Sequence, residues 1–273
     1  MSLPSYAVFA LRYATVTRKP QENFIAADPH DGATSMDYYV WAIVDEKGSA
    51  ADAIVVDTGF AQAAADRRQR TLLRCPTVAL RALGIAAHEV RDVVLTHLHY
   101  DHAGNLDKFP AARFHVQERE VAFATGACMC EPFLRHAYDV EDVVQMVRHV
   151  YAGRVRFHRG DAELRPGVTL HRIGGHTDGL QAVRVHTERG WVVLASDAAH
   201  YAANWHRRSP FPIVYHVGDM LRGFDTLRAL ADSDDHVVPG HDPQVRLRYP
   251  VAANGDDDIV ALHREPRGPT DGR

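Results

Sequence analysis

The stretch Thr96-His97-Leu98-His99-Tyr100-Asp101-His102-Ala103-Gly104-Asn105 decides how the rest of the chain is read. It follows directly on residues 90–96, a short apolar run of the buried-strand type. In an extended segment, side chains at i and i+2 point the same way, so His97, His99 and Asp101 can converge. The chain is expected to turn into a helix near Ala103-Gly104, which brings His102 round to a neighbouring point. Four donors within six residues can serve two adjacent metal positions. Imidazole and carboxylate donors suit zinc, and also iron, manganese or cobalt.

Working outward, residues 38–44 (YYVWAIV) are aromatic and β-branched and read as a strand. Residues 53–56 form a second strand that ends in Asp57-Thr58-Gly59. Residues 61–83 have helical composition broken at Cys75-Pro76, with a stop at Gly84. Further strands are expected at 113–116, 155–158, 168–173, 182–186, 191–195 and 236–239. Helices are expected at 118–124, 139–150 and 218–231. Strand groups separated by helical groups predict two packed sheets with helices outside. Residues 17–37 are rich in turn formers, and the whole of 1–37 reads as an irregular lid-like segment. The tail at 250–273, with its run Asp256-Asp257-Asp258, reads as loosely held. One domain is expected over residues 1–273.

Three later residues share the chemistry of the first motif. His176 lies in Gly174-Gly175-His176-Thr177-Asp178-Gly179, a tight turn after a strand. Asp197 closes Leu194-Ala195-Ser196-Asp197, and His241 follows Val238-Pro239-Gly240. Each stands at a strand end, where sites of α/β proteins usually lie.

Composition bounds the partners. The chain has 273 residues, 46% hydrophobic and 24% charged, which is ordinary globular make-up. Lys and Arg number 31 against 35 Asp and Glu, a net charge of −4, which argues against a general nucleic-acid binder. Cys75, Cys128 and Cys130 make no disulfide framework. The apolar run at 6–11 is too short for a secretory leader, and no apolar stretch is long enough to span a membrane. A reducing, cytoplasmic setting is expected. The 18 histidines are the one unusual count.

Taken in order, Asp57-Thr58-Gly59, His97-x-His99-x-Asp101-His102, His176, Asp197 and His241 resemble the motifs of the metallo-β-lactamase superfamily of binuclear metallohydrolases. The resemblance covers roughly residues 38–245 and implies an αββα sandwich, a mixed α/β fold with two sheets flanked by helices. It implies two divalent cations, most simply zinc. One would be held by His97, His99 and His176, the other by Asp101, His102 and His241, with Asp197 between them. Asp57 would support the site from behind by orienting a ligand. Such a pair activates water and polarises a carbonyl, so no serine or cysteine nucleophile is needed.

Residues also narrow the branch. Secreted β-lactamases of the superfamily usually have another residue where His102 stands and a cysteine where Asp197 stands. Flavin-linked diiron members carry a glutamate where His99 stands. Glyoxalase II adds a helical domain, and members that process tRNA need a basic arm. What remains resembles the N-acyl homoserine lactonases, which implies hydrolytic opening of a small-molecule lactone, quorum quenching, and a homodimer by family habit. Another ester, a thioester or a phosphotriester is the rival substrate, and a non-catalytic metal-binding protein the rival class. Lactonases of this kind often place a tyrosine three residues after the bridging aspartate. Here His200 holds that place and Tyr201 follows, so either could assist catalysis beside Asp101. Met36, Tyr38, Trp205, Phe211 and Tyr215 are the expected substrate walls.

Overall fold

In residues 6–13, Tyr6, Val8 and Ala10 alternate with Leu11 and Tyr13 on opposite faces, and all five are buried. A strand buried on both faces must lie inside a sheet with a layer on either side. A computed structural model of the chain describes residues 3–28, 31–32, 34–45, 47–252 and 255–268. Its strands in chain order are β1 (Tyr6–Arg18), β2 (Thr34–Asp45), β3 (Ile54–Val56), β4 (Thr71–Leu72), β5 (Asp92–Val94), β6 (Arg113–Gln117) and β7 (Val155–His158). They continue with β8 (Ala162–Arg165), β9 (Val168–Arg172), β10 (Gln181–Thr187), β11 (Gly190–Ser196), β12 (Val237–Pro239) and β13 (Ile259–Ala261).

The first sheet runs β13-β1-β2-β3-β5-β6-β7, with β4 also paired to β1, and the second runs β12-β11-β10-β9-β8. Their facing sides share one apolar cluster that includes Val8, Trp41, Ile54 and Val94 from the first sheet and Leu170, Val183, Val192 and Leu194 from the second. The outer face of the first sheet packs Leu11, Val55 and Val93 against helical residues such as Ala65, Leu80 and Met146. The outer face of the second packs Ala182 and Val193 against Phe224 and Leu227 of the helix Val217–Leu230. The layers are therefore helix, sheet, sheet, helix, as the sequence predicts.

Strands β3 and β5 are parallel neighbours, as are β11 and β12. Their carboxyl ends lead into Asp57, His97, Asp197 and His241 in turn, which is why these residues collect at one edge of the sandwich.

Among the described residues, both terminal segments carry more regular structure than expected. The segment read as irregular over 1–37 contains β1 and the start of β2, paired in antiparallel register from Tyr6↔Asp45 to Arg18↔Thr34. β1 does not stand out in the sequence because its apolar run is interrupted by Arg12 and Thr15. Those two groups are accommodated by hydrogen bonds to Asp258 and Asp37. The irregular part shrinks to 19–33, of which residues 29, 30 and 33 lie outside the described ones. The tail read as loose carries β13, whose Ile259–Ala261 pair with β1, and Leu262 and His263 are buried. Asp256 and Asp258 form ion pairs with Arg74, and Asp258 also with Arg12, which pins the acidic run to the sheet. Residues 269–273 of that tail lie outside the described residues. Among the described residues no helix is long and apolar enough to cross a membrane.

Candidate metal centre

The central motif changes period inside its own length. His99 stands in extended backbone (φ −64°, ψ 155°), and a single helical turn, Tyr100–Ala103, begins directly after it. The turn starts earlier than the sequence suggests, so Asp101 sits on the helix and not on the extended run. This divides the motif into two pairs. His97 and His99 gather with His176 and Asp197, while Asp101 and His102 gather with His241. In each group the donor atoms lie within 4.8 Å of one another, and every member is buried.

Asp197 joins the groups. Its Oδ2 lies 3.1 Å from His176 Nε2 and 3.7 Å from His97 Nε2. Its Oδ1 lies 2.9 Å from His241 Nε2 and 3.3 Å from His102 Nε2. The two oxygens thus face different sets of imidazoles. The local backbone is built for this. Ser196 and Asp57 both adopt left-handed conformations (φ 48° and 61°), rare for residues with a side chain and concentrated at functional sites. A Cβ on Gly240 would lie 2.7 Å from the Ser196 backbone and 3.1 Å from Asp197 Oδ1, so only glycine lets the end of β12 approach so closely. Gly175, at φ +88° and against the Met220 backbone, likewise turns the chain into His176.

Behind the cluster, ring nitrogens are tied down. His176 Nδ1 donates to Ile213 O at 2.7 Å and His241 Nδ1 to Asp37 O at 2.8 Å. His102 Nδ1 lies 2.7 Å from Asp57 Oδ2, and His97 Nδ1 lies 3.1 Å from Thr96 Oγ1. A proton on Nδ1 leaves the Nε2 lone pair facing inward, the form in which imidazole binds a metal.

The inner nitrogens test whether cations fit. His99 Nδ1 lies 3.0 Å from His97 Nε2 and 2.9 Å from His176 Nε2, and His102 Nε2 is buried with no hydrogen-bond partner. Imidazole nitrogens crowded against one another and against Asp197 in a buried space, one of them without a partner, are a poor arrangement alone and complementary to a divalent cation. Burial, then the neighbouring imidazoles, hold the pKa values of His97 and His99 well below the usual histidine range. Burial also lowers His200, to about 3, against the pull of Asp197. For Asp197, burial acts upward, yet His200, His241, His102 and His176 bring its pKa well below the carboxylate range. His102 shows the reverse balance, with burial outweighed by Asp197, Asp101 and Asp57, which raise it.

The cleft over the cluster has a volume of about 200 Å³, and Met36, Tyr38 and Phe211 line it as the sequence suggests. Trp205 and Tyr215 do not. Trp205 lines a separate crevice with Pro239 and Tyr249, and Tyr215 lies against Phe123. His200 lines the cleft, stacked on Phe211 with ring centroids 3.7 Å apart, and its Nε2 lies 3.0 Å from Asp197 Oδ2. Tyr201 does not line it, because the helix Ala202–His206 begins there and its hydroxyl turns away to donate to Ser35 O.

Glu120 supports the group of His97, His99 and His176 from behind. Its buried carboxylate accepts from Leu98 N (3.0 Å), Tyr138 Oη (3.0 Å), Thr177 Oγ1 (2.5 Å) and Gly179 N (3.1 Å). It therefore joins the His97–His99 segment to the His176 turn. Nothing in Glu118-Arg119-Glu120 marks it, since charges on a short helix ordinarily face water.

The model of the metallo-beta-lactamase superfamily matches residues 38–241. The chain belongs to this superfamily. A probable metallo-hydrolase of Mycobacterium tuberculosis is 30% identical over 196 residues, 68% of this chain and 61% of that one. The N-acyl homoserine lactonase AttM of Azorhizobium caulinodans is 31% identical over 180 residues, 60% of this chain and 62% of that one. The chain thus spans less than two thirds of the length of these two relatives. The crystal structure of a quorum-quenching N-acyl homoserine lactone lactonase shares the fold with a TM-score of 0.72, over 89% of this chain and 94% of that one, at 21% identity.

Proposed function

We propose that this member of the superfamily is a binuclear metal-dependent hydrolase that opens a lactone ring, with N-acyl homoserine lactones the first substrates to test. The division of Asp197 carries the reading, one oxygen facing His97 and His176 and the other His102 and His241. In this reading His97, His99 and His176 would hold one divalent cation and Asp101, His102 and His241 the other. Asp197 would face both, and Asp57 orients His102. Zinc suits this donor set, and iron, manganese and cobalt are compatible with it. When bound, such a pair supplies a water-derived nucleophile at neutral pH and polarises the carbonyl under attack. The similarity to AttM, named as a lactonase, supports the choice of substrate.

The chain's own residues do the positioning. His200 Nε2 is engaged with Asp197 and its Nδ1 is buried without a partner, so His200 fits a role in orienting Asp197. Tyr38 is the better placed donor to a substrate oxygen. Arg70 Nε donates to Tyr100 Oη (3.2 Å), and Tyr100 Oη donates to Tyr38 Oη (3.3 Å). That order leaves the Tyr38 proton for an acceptor in the cleft, beside the His241 ring. Met36 and Phe211 supply apolar wall. A cleft this size suits a small molecule, and the reading keeps a cytoplasmic setting and, by family analogy, a homodimer.

A panel of lactones, linear esters, thioesters and phosphotriesters tests the reading on zinc-, manganese- or cobalt-loaded protein. The reading expects lactones to give the highest kcat/KM. Faster turnover of another class would reassign the substrate, and no turnover of any by protein holding two cations would favour a non-catalytic metal-binding role.

A further inference from the structure

The rim of the cleft is cationic. Arg18, Arg68 and Arg70 line it together with His136, on the same space as His99, Asp101 and Asp197. Among the described residues none of these three arginines makes an ion pair, although Arg67 pairs with Asp139 and Arg74 with Asp256 and Asp258. Guanidinium groups beside a buried cleft and without carboxylate partners are unusual in a chain whose acidic residues outnumber its basic ones.

Each cation is fixed to the metal centre through an aromatic ring. Arg68 stands 3.9 Å above the ring of Tyr100, the residue between His99 and Asp101, and donates to His136 O and Tyr138 O. Arg70 donates through Nε to Tyr100 Oη and through Nη1 to Arg68 O (2.6 Å). Arg18 lies 5.0 Å over the Phe211 ring, which also stacks on His200. Its Nε and Nη2 are held by Asn23 Oδ1 and Glu22 O. Arg70 Nη2 and Arg18 Nη1 are left without hydrogen bonds to other described residues. Two guanidinium groups are thus anchored by part of the fork, with donors to spare and little rotamer freedom left to lose.

We infer that the preferred substrate carries an anionic oxyacid group, a carboxylate or a phosphate, which Arg18 and Arg70 bind at the rim while the scissile carbonyl lies over the metal centre. The inference rests on the lactone-hydrolase reading for what lies over the metals. A neutral acyl chain would satisfy Met36 and Phe211 but leave both forks without a partner. An oxyanion held between the two can take a charge-assisted hydrogen bond from the free nitrogen of each, Arg70 Nη2 and Arg18 Nη1, which gives direction as well as affinity.

The test is calorimetric binding of three γ-lactams to the metal-loaded full chain. They share one ring and spacer and end in a carboxylate, a phosphate or the methyl ester of the carboxylate. We expect at least one charged lactam to bind about tenfold or more tighter than the ester, a difference set by charge-assisted hydrogen bonds. The tighter of the two names the group. That advantage should collapse in Arg18→Gln and in Arg70→Gln, and shrink in Arg70→Lys, which keeps the charge and loses the fork. Equal binding of ester and charged lactams overturns the inference. So does an advantage that survives in the double variant, because the anion is then held by the metals alone. Lactone turnover measured in parallel separates the two ideas. Turnover without anion discrimination sinks only the rim assignment, and anion discrimination without turnover of any lactone sinks the reaction and leaves the rim in place.

Discussion

Asp57 Oδ2 lies 2.7 Å from His102 Nδ1, and the same carboxylate accepts from Thr96 N and Thr96 Oγ1 at 2.7 and 2.8 Å. A fully buried carboxylate with all its partners placed fixes both the tautomer and the direction of the imidazole in front of it. Asp57→Asn keeps the shape and removes the charge. It should weaken the Asp101–His102–His241 site by about 10–100-fold while leaving the other intact. Metal content after dialysis against graded chelator checks this. One equivalent should be lost where the parent chain keeps two, and equal retention would contradict the role.

Glu120 does the same work for the other half of the centre. Glu120→Gln turns one acceptor into a donor facing N–H groups that cannot turn away. The loss should be about 2–4 kcal/mol of stability, the penalty for buried groups left unsatisfied. Thermal denaturation at matched metal load reads it, and an unchanged Tm would show that Leu98, Thr177 and Gly179 find other acceptors.

Tyr38→Phe should lower kcat by about 10–100-fold with a smaller change in KM, as loss of one donor to a developing oxyanion does. Tyr201→Phe should change kcat by less than about threefold, since its hydroxyl serves Ser35. The reverse ranking would restore Tyr201 as the substrate donor.

Asp142 lies away from the metal centre and gives a pH signature. Burial, then the nearby Asp139, raises its pKa from 3.8 to about 7. A raised carboxyl pKa means that the folded state favours the protonated form. The group's contribution to stability is therefore present in full below about pH 3.8, declines above it, and is lost as pH rises through about 7. Asp142→Asn should accordingly stabilise the protein by about 2–4 kcal/mol at pH 8 and by little near pH 4. Equal effects at both pH values would contradict the shift.

How much of this is legible in the sequence follows from what each residue's signal depends on. His97, His99, Asp101 and His102 stand out as donors because they lie within six residues, while the early helical turn that divides them into two pairs does not. His176, Asp197 and His241 stand out because each closes an apolar run. β1 and β13 are hidden because their pairing joins residues some 250 apart, and because Arg12 and Asp258 look like surface charges until they meet. Glu120 is hidden for the same reason, as its four partners come from three separate segments. Of the walls, Met36, Tyr38 and Phe211 reach the cleft and Trp205 and Tyr215 do not, since side-chain direction depends on how each loop packs. The arginine rim is invisible until Tyr100 and Phe211 are in place.

On the proposed function, two cations in the Asp197-linked centre are both needed to open a lactone. The most direct measurement is a zinc titration of metal-free protein with ring opening of an N-acyl homoserine lactone followed in a pH-stat. The account predicts that turnover rises chiefly as the second equivalent binds. Full turnover at one equivalent, or none at two with this or any other lactone, would contradict it.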